Sequence, residues 1–91
     1  MYLIVWDPEK ARANLKKHGV RLSDAEAVLS DPWAITVEDD TAEGERRFVS
    51  IGADVVGRLL VVVHCYRGDD IRLISARLAN RHERKQYEEG V

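Results

Sequence analysis

Ninety-one residues, 45% apolar and 33% charged, suit one small globular domain, because a chain this short buries roughly two thirds of its unfolded surface and cannot sustain two cores. A lone cysteine, Cys65, excludes an internal disulfide framework and any zinc site built on paired thiolates, and points to a reducing cytoplasm. The formal charge of −2 excludes a generally basic surface, so contact with nucleic acid has to come from a local concentration of cations.

Tyr2 to Trp6 is β-branched and aromatic and predicts a short buried strand, too short for a signal-peptide core or a membrane span. Asp7-Pro8 then supplies an N-cap and a proline at the first helical position. A helix is expected from Pro8 to about His18, closed by Gly19, with Lys16, Lys17 and His18 in the dipole-favoured last turn. Ala11 and Leu15 form its expected buried side. Ser23 with Glu26 reads as a capping box for a short second helix that carries Ala25, Val28 and Leu29 and stops at Asp31-Pro32. Beyond it the apolar period shortens. Trp33–Val37, Arg47–Gly52, Arg58–Tyr66 and Ile71–Ala76 read as strands, joined by turns at Asp39–Gly44, Ala53–Gly57 and Arg67–Asp70. Links this short imply an antiparallel meander, and the strand from Arg58 to Tyr66, apolar on both faces, belongs at its centre. Leu78–Glu89 returns to helical composition. The order β-α-α-β-β-β-β-α predicts an α+β fold: one mainly antiparallel sheet, two N-terminal helices and a C-terminal helix, in a single domain spanning residues 1–91.

Charge is segregated along the chain. From Asp31 to Glu45 the acidic residues are Asp31, Glu38, Asp39, Asp40, Glu43 and Glu45, whereas Arg72 to Tyr87 holds Arg72, Arg77, Arg81, Arg84 and Lys85 against Glu83 alone. Lys10, Asn14 and Lys17 recur along one stripe of the first helix with His18 at its foot, which suits a phosphate-contacting ridge or a plain solvated face. His18 could serve as a general base or cap the last carbonyls. Glu45 and Arg47 share a strand face, where an ion pair is the simplest arrangement. Arg72 and Arg77 fall on opposite faces of a regular strand, so only one of them accompanies Arg47 unless a bulge intervenes. Arg77, at the strand end, suits a bidentate grip on phosphate. Glu83 and Tyr87, four apart, bring a carboxylate and a phenol onto one helical face, although the Tyr87 ring could equally pack on the core with its hydroxyl at the rim. There is no glycine-rich phosphate loop and no HExxH, and His18, His64 and His82 lack metal-ligand spacing. Cys65 is expected to pack as a small apolar residue. A reaction needing neither metal nor cofactor is what these residues leave.

Trp6-Asp7, Lys10, Asn14 and Lys17-His18-Gly19, followed by Gly44-Glu45, Arg47-Phe48 and Gly52, then Arg58-Leu59-Leu60-Val61-Val62, and finally Arg72, Ile74-Ser75-Ala76-Arg77, Ala79, Glu83-Arg84 and Tyr87, together resemble the BrnT toxins of bacterial type II toxin-antitoxin systems. The resemblance runs over almost the whole chain. It implies a RelE-like fold, a cytoplasmic endoribonuclease that blocks translation by cutting RNA, and a hetero-oligomeric complex with a BrnA-like antitoxin through which alone operator DNA is reached. With that resemblance, Arg47, Arg77 and Arg81 or Lys17 are expected to stabilise charge, Glu83 or His18 to act as base, and Tyr87 to act as acid or to position the substrate. Lys10, Asn14, Arg58, Arg72 and Arg84 are then expected to contact RNA. A non-catalytic module that strengthens a DNA-binding antitoxin as corepressor is the alternative.

Overall fold

Asp7 both ends the first strand and starts the first helix: its carboxylate accepts the Glu9 N–H at 2.8 Å, and Pro8 opens the helix where no backbone donor is needed. The computed structural model describes residues 2–40 and 44–90, so half of the turn expected from Asp39 to Gly44, Glu43 included, lies outside the described residues. In chain order the elements are β1 (Leu3–Val5), α1 (Pro8–His18), α2 (Leu22–Ala25) running into a 3₁₀ turn (Glu26–Ser30), β2 (Ile35–Asp39), β3 (Arg47–Ala53), β4 (Leu59–Arg67), β5 (Asp70–Leu78) and α3 (Arg81–Glu89). Gly19 closes α1 at φ 71° and returns its N–H to the Leu15 carbonyl at 2.8 Å, a left-handed closure that glycine adopts at least cost. The capping box expected at Ser23 does not form. Arg21 precedes α2 instead, without a side-chain cap, and Ser23 lies inside the helix.

The sheet runs β1-β5-β4-β3-β2. β2 to β5 form the expected antiparallel meander with β4 at the centre, and β1 adds to the far edge parallel to β5, Val5 beside Arg72. β1 is therefore an edge strand and not a buried one; Leu3 is 65% exposed. Directly opposed residues share a face, so the register sorts the side chains. Leu60, Val62, Leu73 and Ala76 face α1, α2 and the 3₁₀ turn and close the core with Val20, Leu22, Ala25 and Val28. Leu15, expected inside, stands at the rim, and the residue that α1 buries is Asn14.

β5 changes phase halfway. His64 opposes Leu73 while Val63 opposes Ser75, which leaves Ile74 as an extra residue, a β-bulge. Ile71 and Leu73 face the helices before it, and Ala76 faces them after it. The chain thus buries Leu73 and Ala76, residues of opposite parity, in one core.

Candidate functional site

The bulge decides where the basic residues of β5 go. Arg72 opposes Cys65 and Arg77 opposes Val61, so both lie on the sheet face that looks away from α1 and α2. Arg47 lies there too, two residues before Val49, which opposes Val63. Arg72 and Arg77 accordingly share a face with Arg47, by the exception a bulge creates. Between them the face is apolar and only partly covered: Val49, Ile51 and Val63 are half-buried and Val37 is 57% exposed.

The guanidinium groups on this face differ in their partners. Arg77 holds Glu83 bidentately, at 2.7 Å to each carboxylate oxygen, and that contact holds the Glu83 carboxyl below its usual range. Glu83 also accepts the Asn80 N–H at 2.8 Å, closing a capping box at the start of α3. Glu45 pairs with Arg67 at 2.6 Å rather than with Arg47, and accepts the Cys65 thiol at 2.9 Å. Arg67, and then Cys65, hold Glu45 low, while burial and the Glu45 carboxylate push the Cys65 thiol up, so it stays protonated. Among the described residues no carboxylate forms an ion pair with Arg47, and the buried Nε of Arg72 has no acceptor. That Nε is shielded from solvent, so an incoming anion would meet the outer nitrogens of the Arg72 guanidinium.

Tyr87 does not meet Glu83. Its hydroxyl donates to Asp31 Oδ2 at 2.6 Å, and that bond pushes the phenol up. Burial raises Asp31, but hydrogen bonds from Tyr87, Ala53 and Trp33 outweigh it and leave the carboxyl below its ordinary value. Asp31 is a residue the sequence pattern did not single out. Its only signal was the Asp-Pro stop of a helix.

Lys10, Lys17 and His18 of α1 line a groove of about 280 Å³ together with the bulged Ile74 and with Ser75. Ser75 opposes Val63 on the open face, between Arg72 and Arg77 along β5, so the groove adjoins the arginine face. Asn14 also lines this groove, but its amide is already engaged: it donates to the Ala76 and Val20 carbonyls at 2.8 and 2.9 Å and accepts the Ala76 N–H at 3.0 Å. It imitates a neighbouring strand along the β5 edge and is buried. Arg58 is placed apart. It sits at the start of β4 on the helix-covered side, held by Asp54 at 2.7 Å and Asp24 at 3.2 Å. Arg84 donates to the Ala79 carbonyl at 3.0 Å, and Arg81 is exposed at the head of α3. Among the described residues no three His, Cys, Asp or Glu side chains group as metal ligands, and no helix is long and apolar enough to cross a membrane.

Arginines gathered on one sheet face, beside a lysine- and histidine-lined groove, give this chain a local concentration of cations. The class is that of a small α+β domain with three helices and a five-stranded mixed sheet. The sequence profile of the family described as the ribonuclease toxin BrnT of type II toxin-antitoxin systems matches residues 6–83, and the chain belongs to that family. In three dimensions it is similar to the Brucella abortus ribonuclease toxin BrnT, solved at 1.1 Å resolution, with a TM-score of 0.66 and 26% identity over 89% of this chain and 100% of the Brucella chain. No curated protein matches the chain. As a type II toxin it has an antitoxin partner.

Proposed function

We propose that this protein is an endoribonuclease that cuts RNA without a metal ion, arrests translation in the cytoplasm, and is silenced by a BrnA-like antitoxin in a hetero-oligomeric complex that alone reaches operator DNA. The observation that carries this reading is the bulge at Ile74, which turns Arg72 and Arg77 to the same side as Arg47 and leaves the Arg72 Nε with no acceptor. A phosphodiester laid across β3, β4 and β5 would meet Arg47 and Arg72 directly. Arg77 would exchange one carboxylate contact for phosphate. The ribose 2′-hydroxyl gives its proton to a base and its oxygen attacks the adjacent phosphorus; the bond to the 5′-oxygen breaks, that oxygen takes a proton from solvent or from the protonated base, and a 2′,3′-cyclic phosphate is left, while guanidinium groups stabilise the negative charge that grows on the phosphoryl oxygens.

His18 is the better proton acceptor, because the groove it lines adjoins Ser75 whereas both Glu83 oxygens are engaged by Arg77. Lys17 and Lys10, in the same groove, would steer the flanking phosphates. Tyr87 and Glu83 then serve to position α3, and Arg81 and Arg84 extend the basic surface at its head. The test is single-stranded RNA incubated with antitoxin-free protein in excess EDTA. Cleavage is expected to persist and to fall on the order of 10²-fold in Arg72→Ala of unchanged melting midpoint. Intact RNA in EDTA that is cut when magnesium is returned would remove the metal-free step. Intact RNA under both conditions would favour the corepressor reading.

A further inference from the structure

A second surface, on the helical side, has the chemistry of a protein contact. Arg46, Arg58, Arg67 and Arg77 each hold a carboxylate, but among the described residues Arg12 and Arg21 hold none. Both line a cavity of about 170 Å³ where α1 meets the start of α2. Its other walls are Trp6, Ala11, Leu15, Leu22 and the polar Ser23. Leu22 is fully buried, Trp6 and Ala11 pack against the core, and Leu15 is 36% exposed at the opening. The result is an apolar depression, roomy enough for one large side chain, bordered by two uncompensated guanidinium groups.

We propose that this depression docks the antitoxin through an apolar side chain flanked by carboxylates, as an acidic amphipathic helix or turn presents them. The charge complementarity selects the occupant: guanidinium groups at a rim favour acidic residues on either side of an apolar anchor. A nucleobase fits less well, because stacking needs an open aromatic face and the only ring here, Trp6, packs against the core. The depression lies on the helix side of the sheet, away from Arg47, Arg72 and Arg77. An antitoxin held there keeps the segment that covers the arginine face at high effective concentration and leaves that face free to exchange it for RNA. The inference rests on the reading of this chain as a toxin neutralised by a protein partner.

The toxin and the antitoxin encoded beside it are purified separately, and their dissociation constant is measured by calorimetry for wild type, Arg12→Glu/Arg21→Glu and Leu15→Glu. RNA cleavage by the same free toxins is measured in parallel. Each change is expected to weaken antitoxin binding at least about tenfold, roughly the loss of one central anchor, with cleavage and melting midpoint unchanged. Arg12→Lys/Arg21→Lys should bind nearly as wild type. Should the charge reversal lower the melting midpoint, Arg12→Gln/Arg21→Gln replaces it and carries the same expectation. Unchanged affinity in these variants overturns the proposal. Lost cleavage with intact antitoxin binding also overturns it, and makes the depression an RNA surface. A wild-type toxin that cuts no RNA, yet loses its antitoxin on these substitutions, refutes the ribonuclease reading and supports the docking site.

Discussion

His64 shows how a single side chain can be chemically conspicuous and yet structural. Its Nε2 lies 2.9 Å from the Ser50 hydroxyl, itself 2.7 Å from that of Thr36, and the ring stacks on Phe48 and meets Tyr66 edge-on. It is 1% exposed, its Nδ1 has no partner, and burial depresses its affinity for a proton. The folded protein keeps this ring neutral, whereas the unfolded chain protonates it near the ordinary value of about 6.5. Its contribution to stability is therefore complete above that pH and is lost as pH falls toward the lower folded value, since the unfolded state takes the proton first. The urea midpoint is expected to drop between pH 7.5 and 5.5, and His64→Gln, less stable overall, should show a flatter dependence across that window. An undiminished drop in the variant would assign the effect to other groups. Asn14 teaches the converse lesson. In sequence it joins Lys10 and Lys17 in a polar stripe, but its amide satisfies both backbone groups of Ala76 in the interior, where an unmet donor or acceptor costs about 1–3 kcal/mol. Nothing in a helical stripe distinguishes a solvated amide from one that closes a sheet edge.

At the scale of elements, strand and helix existence was legible because each carries its own period and its own stops: Asp7-Pro8, Gly19 and the short turns between β3, β4 and β5. The bulge was legible only as a possibility. Its signature is a parity change in the apolar pattern, Ile71 and Leu73 before it and Ala76 after it, with Ile74 apolar in the wrong phase. Local pattern cannot show whether such a strand tolerates a misfit or inserts a residue; burial of both Leu73 and Ala76 in one core decides it. The mooring of α3 was illegible, since Tyr87 and Asp31 are 56 positions apart. This helix buries no residue completely, and its side-chain ties to the sheet and the 3₁₀ turn are Glu83 with Arg77 and Tyr87 with Asp31. Each carboxyl is held below its ordinary value, so each tie is intact above the usual carboxylate range and fails as pH falls through the depressed values. With the ion pair part-exposed and screened, neither tie outweighs the other by much. Tyr87→Phe should therefore release the helix locally: hydrogen exchange in α3 is expected to quicken several-fold at neutral pH while β4 stays protected. Equal quickening in β4 would mean global destabilisation and refute independent mooring.

At the scale of the whole molecule a net charge of −2 is compatible with the proposed RNA substrate. Carboxylates pair with Arg46, Arg58, Arg67 and Arg77, while among the described residues Arg47 and Arg72 form no ion pair, although the charge of Arg72 is felt by Glu45, and both lie on the open face next to the lysines of α1. Averaged charge hides this because it ignores which cations already have partners. Binding of single-stranded RNA by such a surface should depend on salt through the few phosphates it meets, with a log-log slope of about −0.7 for each one neutralised. Two or three arginines on the face predict a contribution of about −1.4 to −2.1 to the slope, shallow for an RNA-binding protein and consistent with the acidic remainder. Measured by fluorescence anisotropy on a non-cleavable 2′-deoxy-substituted RNA, Arg72→Gln is expected to make the slope shallower by about 0.7. Arg58→Gln should leave it unchanged, because Asp54 and Asp24 already neutralise that group on the helix-covered side. The two substitutions remove the same charge from faces on opposite sides of one sheet. If Arg58→Gln alters the slope and Arg72→Gln does not, RNA lies across the helices and the bulge at Ile74 has no part in binding it.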